Sequence, residues 1–311
     1  MGGMRRRPVP RLAGARLAVL LALLTALPAL ARAAEPPPPA APLSSVSIER
    51  NVAYVDGAGA RQRLDLYLPR DRKSFPVVVW YHGGGWTVGH RRGILGRNDR
   101  LGRALASRGI GVAFAGYRLF PRARHPDHVR DAARAFAWVR TNVARRGGRP
   151  DEIFVGGHSA GGHLATLLAL HPKYLKEVGE TPRAIRGVIG LSGVYDLPGR
   201  WPLTKIFPGG DAARGDASPV RHGARASMPF LLLAGDDDFP TADRQMFALR
   251  DAIGAHAAAL VVPNRTHMSI LWEIGSRHDL TTRVILAFVA RHRGAEGISD
   301  LGVNVGRPGA P

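Results

Sequence analysis

The apolar positions of this chain fall into short continuous runs separated by amphipathic stretches, and the alternation repeats. Residues 76–81, 110–115, 153–157, 185–191, 229–234 and 257–262 show no polar face, as strands buried on both sides require. Between them, segments near 96–108, 126–145, 160–171, 241–255 and 279–293 are helix-compatible. Two earlier stretches, 46–54 and 64–68, also read as strands, the second with alternating Leu64, Leu66 and Leu68. Strand alternating with helix predicts an α/β chain with a mostly parallel sheet and helices on both faces. Residues 193–227 break the rhythm. That segment is rich in Pro, Gly and aromatic residues, and long irregular excursions of this kind often carry function. No internal repeat is visible.

The ends read differently. Arg5, Arg6 and Arg7 precede the apolar run Leu17-Ala18-Val19-Leu20-Leu21-Ala22-Leu23-Leu24, and Ala31-Arg32-Ala33 follows. This is the pattern of a secretory signal peptide over 1–33, with an apolar core too short to span a membrane comfortably. The expectation is a periplasmic or secreted protein with no stable membrane insertion after cleavage. A proline-rich tether follows at 34–43, a catalytic domain at 44–294 and a frayed tail at 295–311. With no cysteine, disulfides and lipoprotein attachment are excluded.

Composition adds little beyond this. The hydrophobic share of 45% suits a sizeable core. Six arginines and no acid lie within 1–33, so the net charge of +20 falls to about +14 for the remainder. The excess is nearly all arginine, since lysine occurs only at 73, 173, 176 and 205. The arginines are scattered, without a basic stripe interleaved with aromatic residues, and no nucleic-acid partner is expected.

The chemistry concentrates at strand ends. Gly157-His158-Ser159-Ala160-Gly161 stands between the run Ile153-Phe154-Val155 and the helix-like stretch from His163. Strand, glycine-bracketed serine, helix is the context in which a serine is forced into a strained turn as a nucleophile. His82-Gly83-Gly84-Gly85-Trp86 follows the strand ending at Tyr81, where glycine N–H groups can face a developing oxyanion. Gly84, Gly85 and Ala160 are the expected donors, with the choice among the three loop glycines open by one position. The next strands supply an acid and a base in the order Ser, Asp, His. Asp236, Asp237 and Asp238 follow the run ending at Ala234; Asp238 is the expected acid and Asp236 the fallback, while Asp196 reads as structural. Among the later histidines, His256, His278 and His292 fall in or beside helices, whereas His267 follows a strand and is the expected base. Trp86, Trp201 and Phe207 are the expected pocket walls. His158 and His163 stand too close to Ser159 to act as its base, and their spacing is poor for a metal. No zinc, Walker or dinucleotide pattern occurs, so neither cofactor nor metal is expected.

These residues carry a resemblance. Leu64-Asp65-Leu66-Tyr67-Leu68-Pro69, His82-Gly83-Gly84-Gly85-Trp86, Gly116-Tyr117-Arg118-Leu119, Gly157 to His163 and Ala217-Ser218-Pro219 resemble the α/β-hydrolase esterases and lipases related to hormone-sensitive lipase. Within them the feruloyl esterase-like, kynurenine formamidase and prenylcysteine methylesterase group looks nearest, over about 48–293. The resemblance implies an α/β-hydrolase fold and a serine carboxylesterase acting on a small-molecule ester through an acyl-enzyme. An amidase or arylformamidase and a peptidase use the same machinery, and a non-catalytic envelope binding protein is the alternative of a different class. One departure is Gly116, where many relatives carry an aspartate before the tyrosine.

Overall fold

The computed structural model describes residues 44–93, 98–200 and 202–294. The expected leader, tether and tail, together with Trp201, lie outside the described residues. Eight strands form one sheet: β1 (Val46–Ala53), β2 (Arg63–Pro69), β3 (Phe75–Tyr81), β4 (Gly111–Ala115), β5 (Gly148–His158), β6 (Gly187–Leu191), β7 (Phe230–Asp237) and β8 (Ala257–Thr266). Their order is β1-β2-β4-β3-β5-β6-β7-β8. Neighbours from β4 to β8 run parallel, while β1 and β2 add an antiparallel edge. The helices are α1 (Asn98–Ala106), α2 (Asp127–Asn142), α3 (Ala160–Leu170), α4 (Pro172–Lys176), α5 (Leu203–Ile206), α6 (Gly210–Asp216), α7 (Ala242–Ile253), α8 (Ser269–Trp272) and α9 (Leu280–His292). This is the α/β-hydrolase architecture. No helix among the described residues is long and apolar enough to cross a membrane.

The continuous apolar runs arise because each central strand is covered twice. In β3, Val77, Val79 and Tyr81 join a core with Phe136 of α2 and Leu164 of α3. Val78 and Trp80 face the other way, onto Leu105 of α1 and Phe288 of α9. Each buried valine of this kind contributes roughly 1.5–3 kcal/mol. Helix α9 starts at a cap that the sequence encodes locally: the Asp279 carboxylate accepts the Thr282 N–H at 2.7 Å.

The chain passes from β3 to β4 on one side and then to β5 on the other, so direction reverses beside β3. At such a switch point a crevice opens beyond the carboxyl ends of the strands. Four strands deliver their next residue to that edge: Ser159 after β5, Ser192 after β6, Asp238 after β7 and His267 after β8. The register makes them neighbours, pairing His158 with Leu191, Leu191 with Leu233 and Asp237 with Thr266. Strand β8 continues four residues beyond the apolar run that marks it in the sequence. The cause is Asp236, whose carboxylate accepts the N–H groups of Asn264 (2.9 Å) and Arg265 (3.0 Å) across a register shift.

Candidate active site

Ser159 caps α3 with φ 56° and ψ −120°, a conformation costing about 1–3 kcal/mol for a residue with a side chain. Its surroundings hold it there: the Ser159 N–H donates to Leu191 O at 2.9 Å, and its carbonyl accepts the His163 N–H at 3.1 Å. The flanking glycines permit the approach. A Cβ on Gly161 would stand 2.0 Å from the Tyr81 carbonyl oxygen, and one on Gly157 2.3 Å from the Gly161 carbonyl carbon. Strand, serine and helix therefore touch backbone to backbone.

The glycine loop after β3 closes over the elbow. Gly84 has φ 116°, and its carbonyl accepts the N–H groups of Thr87 (3.1 Å) and Val88 (3.0 Å); a Cβ there would sit 2.2 Å from Val88 O. Among the described residues, no hydrogen bond uses the N–H of Gly84, Gly85 or Ala160. Unpaired amides at a strand-to-helix turn are the kind of donor that can receive an oxyanion. His82 anchors the loop: its Nδ1 donates to Gly83 O at 2.7 Å, and its ring stacks on Tyr117 at 4.3 Å. Burial drives the His82 imidazole down to about 3, so it stays neutral.

Of the three aspartates, the structure singles out Asp238. Its Oδ1 accepts His267 Nδ1–H at 2.7 Å, and its side chain is 3% exposed. It also accepts the N–H groups of Gly235 (3.1 Å) and Phe239 (2.8 Å) and the Ser192 hydroxyl. Burial alone would raise its pKa, but the His267 and Ser192 hydrogen bonds hold it below the usual carboxylate range. Asp236 and Asp237 are exposed, Asp236 being committed to the β8 backbone. Asp196 is exposed too, its N–H donating to Gln245. With Nδ1 donating to Asp238, Nε2 is the ring nitrogen of His267 left to accept a proton. Ser159, His267, Gly84 and Gly85 share the lining of one cavity of about 380 Å³.

Two residues here escaped sequence reasoning. Ser192 donates its hydroxyl to Asp238; the signal available was its place as the first residue beyond a buried strand. His158, too near Ser159 in sequence to be its base, instead steadies the loop that carries His267. Its Nε2 donates to the His267 carbonyl at 2.6 Å, and the two rings lie 4.5 Å apart. Burial lowers the His158 imidazole to about 4 and keeps it a neutral donor.

Two of the expected pocket walls need correction. Trp86 and Phe207 are 2% and 1% exposed and do not line the cavity at Ser159. They pack edge to face at 4.9 Å, with Trp86 also on His163 at 5.0 Å. Two large rings in edge-to-face contact fill the space between them and exclude water. His163 in turn donates to Ala217 O at 2.8 Å, tying α3 to the irregular segment. Gly116 also has its reason. A Cβ there would meet Arg61 O at 2.4 Å, so the β1–β2 side of this chain leaves no room for an aspartate.

For a metal, His171, Asp216 and His222 are the group among the described residues that comes within reach of one ion, with ligand atoms within 4.8 Å. Both His222 nitrogens are already engaged, Nε2 with Asp216 O at 2.7 Å and Nδ1 with the Arg225 guanidinium at 3.0 Å. A fixed cation at that distance opposes a second one.

A family model, BD-FAE, matches residues 64–206, which hold the glycine loop and the elbow but end before Asp238 and His267. A probable isoprenylcysteine alpha-carbonyl methylesterase of Oryza sativa subsp. japonica is 34% identical over 274 residues, covering 78% of this chain and 64% of its own length. Esterase LipQ of Mycobacterium tuberculosis is 32% identical over 283 residues, covering 81% and 62%. The chain thus spans less than two thirds of these relatives. Esterase B of Lactobacillus rhamnosis has a similar fold, with a TM-score of 0.70 at 24% identity over 89% of this chain and 95% of that one. The chain thus has the α/β-hydrolase fold, and its sequence is similar to those of the methylesterase and of LipQ.

Proposed function

We propose that this chain is a serine carboxylic-ester hydrolase in which Ser159, His267 and Asp238 act together. The observation that carries the reading is the Asp238–His267 pair at 2.7 Å, opening onto the cavity that Ser159 and the glycine loop line. His267 Nε2 takes the Ser159 hydroxyl proton as Oγ bonds to the ester carbonyl carbon. The carbonyl oxygen becomes an oxyanion facing the N–H groups of Gly84, Gly85 and Ala160. The imidazolium, balanced by the Asp238 carboxylate, gives its proton to the alcohol oxygen as the C–O bond breaks. Water then repeats the sequence on the acyl-enzyme, releasing the acid and restoring Ser159. The esterase relatives support this class of reaction.

The test is hydrolysis of short p-nitrophenyl esters by the purified protein, with fluorophosphonate labelling alongside. Ser159→Ala is expected to abolish labelling and to lower kcat by about a millionfold. Labelling that survives the substitution would overturn the assignment. The leader pattern at 1–33 supports export to the periplasm or medium; recovery of an uncleaved chain from the cytoplasm, by fractionation and N-terminal sequencing, would contradict it.

A further inference from the structure

Resting on the ester-hydrolase reading, we propose that the leaving alcohol of the substrate is a neutral, apolar group larger than methyl, seated between Val88 and helix α8. The side is set by the chemistry. His267 delivers its proton to the leaving oxygen, so the alcohol half lies in front of the His267 ring. The chain that follows His267 builds the wall there: Met268, Leu271 and Trp272, three and four residues apart on one helical turn, line the cavity.

The facing wall is Val88. It is 63% exposed, and among the described residues Leu260, at 36%, is the one other large hydrophobic side chain left so open. An isolated exposed valine is ordinary. Val88 differs because the loop presenting it is fastened at several points. Its N–H bonds to Gly84 O, Arg61 reaches Gly89 O, and Arg91 and Arg92 bind the buried Asp65 at 2.9 and 2.8 Å. A loop fixed this firmly holds the apolar side chain at the cavity mouth, where a bound apolar group would cover it.

The lining also excludes other alcohols. The chain carries 44 lysines and arginines, yet none lines this cavity among the described residues, and no acid does. A charged alcohol would find no counter-ion. Most polar side chains in the lining already have partners. His90 accepts the Arg92 N–H at 3.1 Å and faces Arg91, the Asn98 amide donates to Arg91 O at 2.9 Å, and His158 binds His267 O. His82 keeps a free Nε2, but it is buried beneath the Tyr117 stack. A volume of about 380 Å³ is at the small end of ligand sites, enough for an aryl or branched alkyl group.

The experiment holds the acyl group constant as acetate and varies the alcohol from methyl through butyl to benzyl, with a quaternary-ammonium alcohol as the charged comparison. For the wild-type protein, kcat/KM is expected to rise from methyl to benzyl by about tenfold or more, chiefly through KM. The cationic ester should gain nothing. Leu271→Ala and Val88→Asp are each expected to lower the benzyl-to-methyl ratio of kcat/KM by about tenfold. Val88 stands on the surface, so its variant folds even if the helix variant does not. Hydrolysis with a flat alcohol series, or a ratio unmoved in the folded variants, overturns this inference alone. No hydrolysis of any ester together with no fluorophosphonate labelling overturns the ester-hydrolase reading, and this inference with it.

Discussion

Two sides flank Ser159, and they are built in opposite ways. On one, Trp86, His163 and Phe207 close ring against ring, with almost no exposure, and bind the irregular segment to α3 through Ala217. On the other, a glycine loop and the four-residue helix α8 leave about 380 Å³ open between Val88 and Leu271. The difference shows that aromatic residues near Ser159 do not by themselves make a pocket. Large rings that can reach one another fill the space. A cavity persists where the side chains of the two walls do not reach one another.

The contrast is most exposed to failure at the charge behind the open side. Asp238→Asn is expected to lower kcat by about ten-thousandfold, because the imidazolium loses its partner and the tautomer is no longer set. Asp236→Asn, at an exposed position, should cost less than about tenfold by the same measure. Equal losses in steady-state kinetics would return the role of acid to the group of three aspartates as a whole.

Acid probes both sides at once. His82 and His158 belong to the open side, His163 to the packed side and His128 to the core behind Tyr117. Burial lowers all four, to about 3 for His82 and about 4 for His128, His158 and His163. The unfolded chain therefore takes up protons that the folded chain refuses. Their contribution to stability is intact above pH ~6.5 and is lost as pH falls toward 4, by about 1.4 kcal/mol per group per pH unit. Against a typical total of about 5–15 kcal/mol, this predicts cooperative unfolding between about pH 6 and pH 4. A near-UV circular dichroism spectrum still native at pH 3.5 would contradict the neutral burial of these rings.

The smaller tests separate packing from recognition. Phe207→Ala should lower stability by about 3–5 kcal/mol in urea titrations, with the benzyl-to-methyl ratio unchanged. Leu271→Ala, at a half-buried position, should cost below about 2 kcal/mol while shifting that ratio. If Phe207→Ala moved the ratio and Leu271→Ala did not, the packed side would be the substrate wall.

Much of this was legible in the sequence because it rests on local rules. The double-sided burial of β3 is written in Phe75-Pro76-Val77-Val78-Val79-Trp80-Tyr81, and the elbow in glycines two residues either side of Ser159. His267 could be selected because it follows a strand rather than lying in a helix. Other features depended on parts of the chain far apart. Asp238 rather than Asp236 meets His267 because the register of β7 on β8 sets Asp237 beside Thr266, which brings the next residue of each strand together. Ser192 and His158 acquired their partners from the same juxtaposition of strand ends. Trp86 and Phe207 became core for the same kind of reason: 121 residues apart in sequence, they meet only when the irregular segment folds back on α3. The elements, the strained serine and the glycine loop follow from neighbouring residues, since sterics and hydrophobic period act over a few positions. Which acid faces the histidine, which rings fill space and which side of Ser159 stays open follow from strand register and from packing between distant segments, and no local pattern encodes them.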